Sequence, residues 1–172
     1  RFFSSSSRPP ILPLGVQQFL QRRAIEAVGA VMVLAGLFYF LSLLSYNPQD
    51  PSLNSAGASA PTNVMGALGA YLADSVMQSV GFGGLVAAFM LVAWGGRIMA
   101  KQPVTRVWLR TMAGLGAILL LSYGLAIFPA PSDWPLRVGW GGVSGLIMTR
   151  GFGELLSTEL GWLLGVSQGL SL

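Results

Sequence analysis

Histidine and cysteine are both absent from this 172-residue chain, and only 9% of its residues are charged. Their absence excludes disulfides, thiol nucleophiles, histidine metal ligands and every catalytic triad that depends on histidine. A soluble domain has about 25% charged residues, so the charges here are too few to cover a surface that faces water. The length is sufficient for one domain.

Lysine occurs once, as Lys101, and it is not part of the phosphate-binding pattern Gly-x4-Gly-Lys-Ser/Thr. We therefore predict that this chain is not an enzyme, holds no nucleotide motor, and needs no cofactor or metal. Ten basic residues outnumber six acidic ones, for a net charge of +4. They cluster beside apolar runs, as orientation signals of membrane proteins do, and are not spread over a nucleic-acid-binding face.

Three long apolar runs predict membrane-spanning helices over about 27–45, 82–96 and 111–128. The first run contains no charged residue, and as a helix it would be about 28 Å long, close to the hydrocarbon thickness of a bilayer. Backbone polar groups in lipid can pair only within their own segment, so such a run must be helical. The predicted fold class is all-α, a polytopic helical membrane protein with three clear spans.

More polar segments separate these runs: a basic tail over 1–24 and connections over 46–81, 97–110 and 129–138. Residues 64–80 of the first connection predict an outer amphipathic helix, because apolar residues recur there at i+3 and i+4 spacings.

Three placements are open for the Gly-rich C-terminal segment 139–172: part of a fourth span, a re-entrant segment, or a segment on the outer surface. Small residues four positions apart give membrane helices a flat contact face, which the segment offers at Gly161, Gly165 and Gly169.

Basic residues are concentrated in the tail and in the connection 97–110, whereas the connection 46–63 has none. By the positive-inside rule the tail and 97–110 are cytoplasmic, and the other connections lie outside. The residues that set this topology are Arg22, Arg23, Arg97, Lys101, Arg106 and Arg110. An Arg- and Ser-rich, acid-poor start also resembles an organellar presequence, which is a second interpretation of residues 1–23.

Asp74 is the only charged residue between 64 and 96. At membrane depth an ionisable side chain is a functional candidate, because burying its charge costs about 2.5–3.5 kcal/mol at a helix centre. We favour the other interpretation, in which Asp74 lies at the outer interface on a helix that has not entered the bilayer.

The block Leu43–Ser52, Leu-Leu-Ser-Tyr-Asn-Pro-Gln-Asp-Pro-Ser, follows the first span directly. With Arg22-Arg23 before that span, it resembles the start of the FtsK/SpoIIIE family of bacterial DNA translocases. Gly66–Asp74 and Gly141–Gly145 are similar to further family motifs and occur in the family's order.

This resemblance implies an N-terminal membrane domain that has four spans, with both ends cytoplasmic, in the bacterial inner membrane at the division septum. It implies a scaffold that contacts other division proteins and anchors a hexameric, ATP-driven DNA pump. DNA and ATP would be bound only by a motor domain that is absent from this chain. The candidate interaction residues are Tyr46, Pro48, Asp50, Pro51 and Asp74, with the three C-terminal glycines.

Two other functions are open from the sequence. The chain could be a small structural subunit of another multi-protein membrane complex, with the tail as a leftover presequence. It could also be a membrane transporter or enzyme that uses Asp74.

Overall fold

The computed structural model of the protein describes residues 13–52, 60–130 and 138–164, and these contain helices, turns and loops but no strand. The elements in chain order are α1 (Leu14–Leu44), α2 (Gly66–Ser79), a 3-10 turn (Gly81–Gly84), α3 (Leu85–Met99), α4 (Val107–Ala126) and α5 (Gly142–Leu164). The prediction of an all-α fold is confirmed.

Within the described ranges, three helical segments are long and apolar enough to cross a membrane: Leu14–Leu44, Gly81–Met99 and Val107–Ala126. They expose large apolar side chains such as Leu34, Phe89 and Leu120. Lipid tails are as apolar as these side chains, so a membrane helix can leave them on its surface. Helix α5, which includes Arg150 and Glu154, is not among the three.

At their basic ends, the three spanning helices extend past the limits that the apolar runs suggested. Arg22 and Arg23 lie within α1, Arg97 lies in the last turn of α3, and Arg110 lies in the first turn of α4. The expected connection 97–110 therefore shortens to residues 100–106. Hydropathy marks only the part of a helix that lies in hydrocarbon, whereas arginine is a good helix former whose long side chain reaches water.

Helices α1 and α3 pack with their backbones almost in contact. A Cβ atom added to Gly29 would lie 2.7 Å from the carbonyl oxygen of Gly95, and one added to Gly95 would lie 2.6 Å from that of Gly29. Two turns further along α1, Gly36 faces the backbone of Ala88 in α3. Small residues at this spacing let membrane helices approach closely, so this seam holds the first two spans together.

A second junction joins α4 and α5 to the 3-10 turn through glycines. The buried Ser122 hydroxyl donates to the carbonyl oxygen of Val80, 2.7 Å away, and a Cβ on Gly145 would lie 2.5 Å from the carbonyl oxygen of Ser122. Gly81 and Gly142 have φ angles of +58° and +64° and face each other. Glycine adopts that conformation without steric strain. The Gly-rich segments 81–84 and 141–145 therefore both contribute to this junction.

Candidate functional site

The site begins where α1 ends, in a tight turn over residues 47–50. The Asp50 amide donates to the carbonyl oxygen of Asn47 at 3.1 Å, and the Gln49 amide donates to Asn47 Oδ1 at 3.0 Å. Pro48 occupies the second position of the turn, where its fixed φ is favoured, and asparagine suits the first. The Asn-Pro-Gln-Asp sequence therefore stops α1 and reverses the chain.

The carboxylate of Asp50 closes the loop that follows. Its Oδ1 accepts hydrogen bonds from the amide and the hydroxyl of Thr62, both at 2.8 Å, and its Oδ2 accepts one from the Asn63 amide at 2.9 Å. Asp50 as a residue is only 4% exposed. Hydrogen bonds to an ionised acceptor are about twice as strong as neutral ones, so three of them compensate for burying this charge.

Asn63 joins the end of α1 to the start of α2. Its Nδ2 donates to the carbonyl oxygens of Ser42 at 2.9 Å and Ser45 at 3.2 Å, and its Oδ1 accepts from the Met65 amide at 2.9 Å. The last carbonyls and first amides of helices have no partners within the helix. Asn63 provides partners for carbonyl groups of one helix end and for an amide at the start of the next. We call residues 45–50 together with Thr62 and Asn63 the Asp50 clasp.

Asp74 on α2 contacts the clasp through Tyr46. The Tyr46 hydroxyl donates to Asp74 Oδ1 at 3.2 Å, and Gln78 Nε2 donates to Asp74 Oδ2 at 2.8 Å. Burial of the phenol, together with the negative charge of Asp74, raises the pKa of Tyr46. Tyr46 therefore stays protonated and remains a hydrogen-bond donor to Asp74.

Asp74 also borders a cleft of about 600 Å³ between α2 and α5, lined further by Ser75, Gln78, Ser79, Val80, Val143, Ser144 and Ile147. Asp74 as a residue is 8% exposed, and both carboxylate oxygens accept hydrogen bonds. Among the described residues, no three acidic, His or Cys side chains form a possible metal site. The arrangement fits a structural carboxylate better than a catalytic one.

The fold gathers three of the predicted interaction residues, Tyr46, Asp50 and Asp74, into one unit. Pro48 is exposed and Pro51 is half-buried. Gly161 lies in α5 where side chains are not described, and the predictions for Gly165 and Gly169 fall outside the described residues.

Sequence reasoning missed the partners of these residues, namely Ser42, Thr62, Asn63 and Gln78. One signal was available: Asn63 lies just before a helix, where asparagine is favoured because its side chain pairs with free amides.

Tyr46→Phe tests the link between the clasp and α2. Losing a half-buried hydrogen bond to a carboxylate is expected to lower the free energy of unfolding by about 1–2 kcal/mol. Below the ordinary tyrosine pKa of 10.0 the phenol is protonated whether the chain is folded or unfolded. Above it only the unfolded phenol ionises, so the wild-type chain loses stability as the pH rises and Tyr46→Phe loses less.

The measurement is the midpoint of unfolding in detergent between pH 8 and 11. Tyr71→Phe, which alters an exposed tyrosine of α2, is the matched control and should keep the wild-type pH dependence. Equal pH dependence in Tyr46→Phe and wild type would contradict the assignment.

Comparison with known proteins gives a family match over residues 21–168, to the model described as the 4TM region of DNA translocase FtsK/SpoIIIE. A DNA translocase FtsK of Azospirillum brasilense is 30% identical over 174 residues, covering 97% of this chain and 28% of that protein. Those of Agrobacterium fabrum and Caulobacter vibrioides are 33% and 35% identical, covering 77% and 68% of this chain and 15% of each relative. No solved structure matches.

Proposed function

Because this chain belongs to the 4TM region of the FtsK/SpoIIIE family of DNA translocases, we propose that it anchors such a translocase in the bacterial inner membrane and localises it to the division septum. In this role it is a non-catalytic scaffold between other division proteins and a hexameric DNA pump. The chain spans 15–28% of the length of the relatives compared above. DNA and ATP are therefore assigned to a motor domain outside this sequence.

The Asp50 clasp is the observation that carries this proposal. Three hydrogen bonds to a buried carboxylate hold the turn 47–50, at the end of a membrane helix, against Thr62 and Asn63, while Pro48 and Gln49 at the turn stay exposed. A rigid loop loses little entropy when a partner binds, which favours affinity. We assign the exposed edge of this turn to contacts with division proteins.

The same proposal places the clasp outside the cytoplasm and the N-terminus inside. All six basic topology residues lie at the opposite end of the helices from the clasp, as the positive-inside rule requires. An enzyme reporter active only outside the cytoplasm, inserted between residues 53 and 59, should be active, and the same reporter at the N-terminus should be inactive. The reverse pattern would contradict the orientation.

A fluorescent fusion of this chain tests the localisation. In dividing cells we expect a band at midcell. We expect Pro48→Ser combined with Gln49→Ala to weaken this band severalfold without loss of protein from the membrane, because the hydrogen bonds of the clasp use neither side chain. Ser75→Ala, which alters an exposed residue of α2, is the control. Even distribution of the folded wild-type fusion around the membrane would contradict a localising role and favour a subunit of another complex.

A further inference from the structure

The end of the bundle opposite the clasp has a strong excess of positive charge, and we call it the basic end. The only acidic residue in α1, α3, α4 and the connection 100–106 is Glu26, which pairs with Arg23 at 2.7 Å and with Lys101 at 3.1 Å. No ion pair within the described ranges involves the other four cations, Arg22, Arg97, Arg106 and Arg110. The first turn of α4 also contains no acidic residue, so most of this positive charge has no counter-charge from the described residues.

Two cations of the basic end, Lys101 and Arg106, occupy backbone positions that suit other residues better. The end of α3 is a Schellman motif, in which the Lys101 amide donates to the Ile98 carbonyl oxygen and the Gln102 amide to that of Arg97. The residue in the Lys101 position is usually glycine because φ is positive, and here φ is +56°. Arg106, the residue before α4, has φ +54°, where asparagine is far commoner.

Strained positions of this kind concentrate at binding sites, where the side chain is needed for its chemistry. Glycine at 101 and asparagine at 106 would each relieve the backbone. Both positions hold a cation, and both lie in the connection 100–106 between α3 and α4.

Beside Lys101 is a pocket of about 380 Å³ between α1 and this connection. Its walls are mostly apolar, formed by Ile25, Ile98, Pro103 and Val104 with Gln102, and Lys101 contributes the charge. Arg97 holds the connection in place through a 3.3 Å bond from Nη2 to the Pro103 carbonyl oxygen, and its Nε is a buried donor without a partner among the described residues. An apolar pocket edged by cations matches a molecule that joins an anionic group to an apolar chain.

We propose that the basic end binds an anionic phospholipid, with the lipid phosphate beside Lys101 and the glycerol and upper acyl chain against Ile25, Ile98 and Val104. Basic pockets between membrane helices recognise lipid headgroups in this way. Free phosphate has no apolar part to fill the pocket. Duplex DNA fits poorly because Val107, Trp108 and Leu109, all exposed apolar residues, lie between Arg106 and Arg110. This site does not depend on the role in division.

Native mass spectrometry of the full chain in nonionic detergent tests the proposal, with phosphatidylglycerol or phosphatidylcholine added at equal concentration. We expect one phosphatidylglycerol to bind at least about tenfold more tightly than phosphatidylcholine. A cation near an anionic lipid surface contributes roughly a fivefold change in affinity. Lys101→Gly and Arg106→Asn should each lower the affinity for phosphatidylglycerol by about that factor, and the double variant should lower it by about thirtyfold.

Glu26→Gln separates binding from structure, because it removes the one acid and frees Lys101. It should raise the affinity for phosphatidylglycerol by roughly fivefold, although it removes two ion pairs from the fold. Lys101→Gly should unfold at the same temperature as wild type or a higher one, since glycine suits the positive φ. Arg150→Gln, which alters an exposed cation of α5, is the matched control and should change neither affinity nor unfolding.

Three results would overturn the proposal. The first is equal affinity for the two lipids. The second is affinity for phosphatidylglycerol that stays within twofold of wild type in both Lys101→Gly and Glu26→Gln. The third is displacement of the bound lipid by inorganic phosphate or by a short DNA duplex at comparable concentration, which would assign the basic end to a soluble anion or to nucleic acid.

Discussion

Leucine in place of Gly29 is expected to separate α1 from α3 and to cost about 4 kcal/mol or more in unfolding free energy. Overpacking among side chains costs about 1–3 kcal/mol, because neighbours can shift to other rotamers. Here two of the three atoms nearest to an added Cβ are backbone atoms, the carbonyl oxygen of Gly95 at 2.7 Å and the amide nitrogen of Met99 at 2.9 Å. Two helix backbones would have to move apart, and the rest of the seam would lose contact with them.

Gly96→Leu is the matched control, because Gly96 lies on the same helix as Gly95 and a Cβ there meets nothing within 4 Å. Leucine has a higher helix propensity than glycine by roughly 0.8 kcal/mol, so this variant should be as stable as wild type or slightly more stable. Unfolding is followed by circular dichroism during titration with a denaturing detergent. Similar midpoints for the two variants would mean that α1 and α3 do not pack through Gly29 and Gly95.

Asp50→Ala is the second substitution with a large expected effect, a loss of about 3 kcal/mol in unfolding free energy. It removes the acceptor of three hydrogen bonds and leaves the amide of the buried Asn63 without a partner, whereas Thr62 is exposed and its amide can bind water. A buried donor left unpaired costs about 1–3 kcal/mol. Release of Asn63 should also uncouple the ends of α1 and α2, so amide hydrogen exchange should rise at residues 62–66 and not in α4.

Asp50→Asn should recover only part of this loss. The side-chain oxygen of asparagine can accept from one of the two backbone amides, but its NH2 group is a donor and cannot accept from the other. Gln49→Ala is the control: Gln49 is exposed, and the hydrogen bond assigned to it uses its backbone amide. It should stay within about 0.5 kcal/mol of wild type, as surface substitutions usually do. Unchanged exchange at residues 62–66 in Asp50→Ala would contradict the clasp.

The glycine motifs illustrate what could be predicted about the packing. The sequence shows Gly-rich segments at 81–84 and 141–145, and in the described structure Gly83, Gly141 and Gly145 face Ser122, whereas Gly84 faces Val76 and Tyr39. It did not distinguish Gly95 from Gly96, which are neighbours in one apolar run. Only the position of α1 shows that the first tolerates no side chain and the second does.

The candidate site was predictable in its residues but not in its geometry. The motif after the first span drew attention to Tyr46 and Asp50, and the isolated charge of Asp74 stood out in an apolar stretch. Tyr46 and Asp50 have hydrogen-bond partners 28 and 12 residues away, whereas Gln78 is only four residues from Asp74. No spacing rule connects positions across a loop, so the pairing of Asp50 with Thr62 and of Tyr46 with Asp74 could not be read from periodicity.

From the sequence alone it follows that this chain is helical and can span a membrane. In lipid each apolar run must satisfy its own backbone hydrogen bonds, and a helix does so without other segments. Which carboxylates are buried and which glycines form helix contacts became clear only from the tertiary structure. Those properties depend on distances between segments that are remote in the chain, and burial of a charge such as Asp50 is stable only once its donors are brought to it.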